Sequence, residues 1–178
     1  MTLRIGPVLD RYESHLIAYA ARITGDTERA RDIVQDVFVR FCQTDHSSLD
    51  GHIGRWLFTV CRNRALDVRR KEGRMKLLTA DDVATNQQPI APPRPSSSDS
   101  NSAANMLEAL ATLPERQQEV LRLKFEGGLT YEEIAGVLSS TAGNVGVLIH
   151  TAIKTLRKQL TPNQTSIEAA PKFRRLSS

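Results

Sequence analysis

The sequence predicts an all-α protein, two small helical domains joined by a flexible linker, the second containing a helix-turn-helix. Three observations carry this. Apolar residues recur at helical spacing in two separate blocks, and no segment shows the period-two alternation of a half-buried strand. Between the blocks lies a polar, proline-rich stretch. At 178 residues in all, each half is near the lower size at which a hydrophobic core holds by itself.

In the first block, Leu9, Tyr12, Leu16, Tyr19, Ala20 and Ile23 mark one helix, and Gly25 supplies its stop. Asp26 or Thr27 caps the next, where Ala30, Ile33, Val34, Val37, Phe38 and Phe41 form one apolar stripe. A loop rich in Ser, Asp, His and Gly runs from Thr44 to His52. A third helix starts near Ile53, with Leu57, Val60, Cys61, Ala65 and Val68 on its buried side.

From Thr79 to Ala104 the chain is rich in Pro, Ser, Asn and Asp and poor in large apolar residues. Such a stretch buries too little surface to offset its ordering entropy, which reads as a flexible linker. Pro92, Pro93 and Pro95 keep its middle locally extended. A structureless connection this long is unusual inside one compact domain, which favours two. The expected division is therefore 1–78, a linker at 79–104, a second domain at 105–160 and a polar tail at 161–178.

The second block opens with a short helix ending in Leu107, Leu110 and Leu113. Pro114 suits the first position of another, whose apolar surface is Val120, Leu121, Leu123 and Phe125 before Gly127-Gly128 breaks it. Thr130 and Glu133 have capping-box spacing ahead of Ile134, Ala135 and Leu138. A tight Ser139-Ser140-Thr141 turn follows. A longer helix then carries Val145, Leu148, Ile149, Ala152, Ile153, Leu156 and Leu160. Short helix, turn and longer helix are the signature of a helix-turn-helix, a DNA-binding element.

Composition narrows the classes further. No apolar run approaches the roughly 20 residues of a membrane span, and the N-terminal residues lack a signal-peptide core, so a cytoplasmic protein is expected. Cys42 and Cys61 sit outside any Cys/His cluster; both read as buried thiols, with no zinc site or disulfide. The four histidines are scattered, and no nucleophile–base set or glycine-rich phosphate loop occurs. No enzyme, metal, cofactor or small-molecule substrate is expected.

Net charge is +4 and the pI about 9.3, which suits a nucleic-acid partner without requiring one. Its placement says more: residues 1–78 hold 14 Arg/Lys against 10 Asp/Glu, and the excess clusters from Arg55 to Lys76. There Arg62, Arg64, Arg69, Arg70, Lys71, Arg74 and Lys76 suit salt-dependent phosphate binding. Trp56 and Phe58 lie among them, and Trp56 serves either base stacking or the core. Asn63 offers an amide that donates and accepts at once. On the Asp32 helix, the face opposite the apolar stripe carries Asp32, Gln35, Asp36, Val39 and Arg40. That mixed face suits a protein interface, or else an ordinary surface with one stray valine.

Two sets of residues carry a family resemblance. Leu113-Pro114-Glu115-Arg116, Glu119-Val120-Leu121 and Leu129-Thr130-Tyr131-Glu132-Glu133-Ile134-Ala135 resemble the domain of sigma-70-related factors that contacts the −35 promoter element. A helix-turn-helix alone also fits a response-regulator output domain. The first block separates the two. Asp32-Ile33-Val34-Gln35-Asp36-Val37-Phe38-Val39-Arg40-Phe41 and Arg55-Trp56-Leu57-Phe58-Thr59-Val60-Cys61-Arg62-Asn63-Arg64-Ala65-Leu66-Asp67 resemble the core domain of extracytoplasmic-function (ECF) sigma factors.

The resemblance implies an alternative sigma factor that binds core RNA polymerase and promoter DNA, with an anti-sigma protein as a candidate sequestering partner. It implies that Asp32, Gln35, Asp36, Val39 and Arg40 dock on polymerase. It assigns Arg55, Trp56, Arg62, Asn63, Arg64, Arg69 and Arg70, with the Asp45–His52 loop, to the −10 element. In the second domain Thr141, Asn144, Val147, His150 and Lys154 face the −35 groove.

One departure matters. Relatives commonly read Val-Gly-Thr-Val-Lys-Ser-Arg-Leu-His-Arg-Ala where this chain has Ala142-Gly143-Asn144-Val145-Gly146-Val147-Leu148-Ile149-His150-Thr151-Ala152. Three basic positions have become Gly146, Leu148 and Thr151, which predicts weaker or altered −35 binding. The competing class is a stand-alone helix-turn-helix regulator, which binds duplex DNA without polymerase.

Overall fold

A computed structural model describes residues 5–49, 51–78 and 100–160. They form seven α-helices and one 3-10 turn, and no strand occurs among the described residues. The expected linker, up to residue 99, and the tail from 161 lie outside them.

Helix α1 (Ile5–Thr24) ends where Gly25 enters the left-handed region at φ +77°, its N–H bonded to the Ala21 carbonyl at 2.8 Å. The Asp26 carboxylate then caps α2 (Thr27–Gln43), accepting from the Glu28 and Arg29 amides at 2.9 and 3.3 Å. The α2 stripe expected from sequence is buried throughout, from Ala30 to Phe41. After the 3-10 turn (His46–Leu49), α3 runs from Ile53 to Leu78. An Arg29–Glu72 ion pair ties the start of α2 to the far part of α3.

Helix α4 (Ser100–Ala111) begins inside the expected linker. Ala103, Ala104, Met106 and Leu107 are good helix formers, and their propensity outweighs the polar Ser and Asn beside them. Pro114 takes the N-cap of α5 (Glu115–Phe125), one residue outside its expected place, because its ψ of 143° is extended. The Thr130–Glu133 capping box opens α6 (Tyr131–Leu138), with both reciprocal bonds formed at 3.2 and 2.8 Å. Ser139, left-handed at φ 50°, turns the chain into α7 (Ala142–Leu160). The axes of α6 and α7 meet at 102°, within the range of a helix-turn-helix.

The expected buried thiols divide. Cys61 is buried, its Sγ 3.8 Å from the Leu16 carbonyl, and burial pushes its pKa up to about 12. Cys42 is exposed, which corrects the expectation. Phe41 holds the core-facing position of that turn, and the next residue lies about 100° round the helix.

The halves do not stand apart. One continuous cluster of buried side chains includes Leu16, Val37, Phe41 and Phe58 from the first half and Leu123, Leu129, Ile134 and Val145 from the second. Phe58, 2% exposed, meets the Tyr19 ring edge-on at 5.4 Å and lies against Gly127. Helix α3 is thus packed on the second half as well as on α1 and α2.

Candidate nucleic-acid and protein interfaces

The outer face of α2 is open. Asp32, Gln35, Asp36, Val39 and Arg40 are all exposed, Val39 by 56%. Beside them a shallow groove between α1 and α2 is floored by Leu9, Val34 and Phe38 and edged by Glu13 and Arg31. Its apolar floor and charged rim match the make-up of a protein interface. Asp36 is also held by Arg64 of α3, at 3.3 Å.

The α3 residues assigned to DNA separate into two groups. Asn63 and Arg70 are exposed; Arg70 pairs with its helix neighbour Asp67, at 3.5 Å, and Asn63 reaches solvent beside Arg64. Trp56 is half-buried, 5.7 Å from the Phe41 ring, so one side packs on the core while the other faces out. His46, from the preceding turn, meets the Phe41 ring edge-on at 4.4 Å. The side chains of Ser47 and Ser48, and Asp50 as a whole, lie outside what the structure describes.

The second group lies on the side of the other half of the molecule, where Arg62 is half-buried while Arg55 and Arg69 stay exposed. Arg55, Arg62 and Arg69 are seven residues apart, so they share one stripe of α3. Arg62 Nε donates to Glu119 Oε1 at 2.9 Å, and the Tyr19 hydroxyl donates to the same oxygen at 2.8 Å. Burial works against the Arg62 charge, but the Glu119 bond more than offsets it and holds the guanidinium above its ordinary value. Burial, reinforced by the Glu119 charge, also drives the Tyr19 phenol well above its usual range. Arg69 lies 3.7 Å from Glu115, and Arg22 of α1 lies 3.8 Å from Glu126. Arg55 runs over α6 at Gly136, where an added Cβ would come within 2.5 Å of its Nε.

Further along this seam, His52 Nδ1 donates to Glu133 Oε1 at 3.1 Å. Burial raises the Glu133 pKa, but the Thr130 amide and His52 outweigh it and leave the carboxyl below its ordinary value. Gly54 is the second close approach: an added Cβ would meet Leu129 Cδ2 at 2.9 Å. Sequence reasoning missed Tyr19, Glu119, Glu133 and Gly136 as a group. The seven-residue spacing of the arginines was the available signal; their carboxylate partners lie 46 or more positions away, as in Arg69 and Glu115.

Helix α7 stands clear of the first half. The Thr141 hydroxyl caps it, accepting from the Asn144 amide at 3.2 Å, and Asn144 Nδ2 donates to Ser140 Oγ at 2.9 Å. Both residues are thereby partly committed to the turn. Val147 is 64% exposed, and His150 and Lys154 are exposed beside it. A Cβ added at Gly146 would sit 3.7 Å from the Tyr131 ring, and Leu148 is half-buried. Among the described residues no three His, Cys, Asp or Glu side chains are placed to hold a metal ion, and no single helix is long and apolar enough to cross a membrane.

Comparison with known proteins matches residues 8–75 to the family described as sigma-70 region 2 and residues 103–156 to sigma-70 region 4. The ECF RNA polymerase sigma factor SigL of Mycobacterium tuberculosis is 32% identical over 158 residues, covering 85% of each chain. The ECF RNA polymerase sigma factor BldN of Streptomyces coelicolor is 28% identical over 158 residues, covering 87% of this chain and 60% of its own. Among solved structures, the sigma factor RpoE in complex with the anti-sigma factor NepR, from Bartonella quintana, aligns with a TM-score of 0.63. It is 24% identical and covers 88% of this chain and 96% of RpoE, a likeness of fold.

Proposed function

The chain belongs to the extracytoplasmic-function branch of the sigma-70-related sigma factors, and from that premise we propose how it directs core RNA polymerase to promoters. The observation that carries the reading is the presence of both sigma regions, in order, on two helical halves, each with an open face. The open face of α2, Asp32, Gln35, Asp36, Val39 and Arg40, docks on polymerase. Its exposed valine and the neighbouring apolar groove supply desolvation, and the charges around them supply orientation.

Helix α3 reads and holds the melted −10 element. Arg55, Arg62, Arg64, Arg69 and Arg70 meet phosphates, Asn63 meets a base edge, and the outer side of Trp56 stacks on an unpaired base. Helix α7 meets the −35 element through Thr141, Asn144, Val147, His150 and Lys154. With no Arg or Lys from Ala142 to Ile153, that contact is weaker than in relatives with a basic helix. The domains are 1–78 and a second that starts with α4 at Ser100, joined by the stretch between them, and the factor works in the bacterial cytoplasm at the nucleoid. It supplies recognition rather than chemistry, and an anti-sigma protein is its candidate antagonist.

In vitro transcription with core polymerase tests this. Adding the chain is expected to produce promoter-dependent initiation that is lost with Asp36→Arg/Val39→Glu. Tight binding to palindromic duplex DNA without polymerase, and no initiation with it, would replace the reading by a stand-alone regulator.

A further inference from the structure

Opposite its buried Val145, Ile149 and Ala152, helix α7 exposes Asn144, Val147, His150, Thr151 and Lys154, which recur at helical spacing on one face. The centre of that face is apolar. Val147 is 64% exposed. One turn on, the Thr151 hydroxyl donates to the Val147 carbonyl at 2.8 Å, so the methyl is what that side chain has left to offer a partner. Asn144, at the start of the face, gives an amide hydrogen to Ser140 Oγ at 2.9 Å. Gly143, one turn before Val147, would have nothing within 4 Å of an added Cβ. Packing inside the described fold therefore does not call for a glycine there, and the missing side chain lets the helix lie closer to whatever covers Val147.

A helix in the major groove meets hydrogen-bond donors, acceptors and one kind of apolar group, the thymine C5-methyl. Guanine is read by the paired donors of Arg or Lys, and none lies from Ala142 to Ile153. We propose that the base α7 selects is thymine, recognised by its methyl group against Val147 and the Thr151 methyl. Selectivity at the −35 element then rests on apolar contact and not on charge. Burial of a methyl releases no counterion, so this selectivity persists as salt rises while the affinity contributed by phosphates falls. The proposal rests on the reading of α7 as the −35 face.

The probe is a promoter duplex recovered from a randomised pool by the holoenzyme, core polymerase with the full chain. It is synthesised with thymine throughout and, one position at a time, with uracil in the −35 segment. Uracil keeps the base pair and lacks the methyl. At the contacted position it is expected to weaken binding about fourfold, the worth of one buried methyl-sized group. Val147→Ala, at an exposed position outside the core, should bind the thymine duplex correspondingly less and no longer distinguish it from the uracil duplex. Its salt slope should equal the parent's, because no phosphate contact is lost. Val147→Ile should keep the discrimination.

Recovered −35 segments without thymine overturn the methyl readout. So does equal binding of the two duplexes by the parent, or a uracil penalty undiminished in Val147→Ala. The underlying reading is tested separately by Val147→Glu/Lys154→Glu, which places two carboxylates on the face. An upstream footprint that these leave unchanged removes α7 as the −35 face, whatever the uracil series shows.

Discussion

Helices α3 and α7 are the two elements proposed to meet DNA, and they distribute charge and access in opposite ways. Helix α3 is dense in arginine, yet Arg62 is bonded to Glu119 of α5 in a shielded pair, Arg69 lies 3.7 Å from Glu115 and Arg55 lies beside Gly136 of α6. Helix α7 has its outer face open, yet its first three turns contain no Arg or Lys. Charge counted along a sequence is therefore a poor measure of charge available to a phosphate. Where this chain concentrates cations it also supplies internal anions, and where it leaves a groove-sized helix free it has removed the cations.

The largest expected effect tests whether α3 belongs to both halves. Phe58→Ala empties a site enclosed by Tyr19 on one side and Gly127 on the other, and should cost about 3–5 kcal/mol in denaturant unfolding. A single transition moved to lower denaturant is expected. Two transitions, only one of them shifted, would show that the halves unfold independently and break the comparison.

Next comes the contrast inside α3. Arg62→Ala leaves the shielded Glu119 carboxylate without its cation and with only the Tyr19 hydroxyl donating to it on this side, at about 2 kcal/mol. Arg64→Ala removes a pair to the exposed Asp36, and costs about 0.5 kcal/mol or less. Equal costs would mean that the Glu119 contact is no stronger than a surface pair.

Recharging α7 sharpens the other side of the comparison. Gly146→Lys/Thr151→Arg restores two basic positions and spares Leu148, which is half-buried and unsuited to a charge. Added to a holoenzyme footprint on −35 duplex, it should steepen the fall of log affinity with log salt by about 0.9 for each phosphate gained. An unchanged slope would place this face of α7 away from the DNA backbone.

The smallest effect is a pH dependence at the seam. The folded Glu133 carboxyl sits below its unfolded value, so its contribution is complete above roughly pH 4.3 and fades as pH falls through the folded value. The parent should therefore lose stability relative to Glu133→Gln as pH is lowered through that window. Parallel curves for the two proteins would remove Glu133 from the account.

Much of the local structure was legible because it is set by near neighbours. The α2 stripe, the Asp26 cap and the Thr130–Glu133 box each need only residues three or four apart, and all formed. The helical start at Ser100 was obscured by the polar Ser and Asn that precede Ala103 and Ala104. Cys42 was misread because type and neighbours suggested burial, while helical phase, fixed by Phe41, turned it outward. Along α3 the sequence marked a basic stretch as one unit. Which arginines face the second half depends on Glu119 and Gly136, whose partners are 57 and 81 positions away, and no local pattern encodes that.

Trp56 is the chain's one tryptophan, and it rests on Phe41 within the first half. Its emission therefore acts as a built-in reporter for one half, while far-ultraviolet circular dichroism sums the helices of both. Superposition of the two melting curves, or their separation, reads out the cooperativity between the halves without any label attached to either.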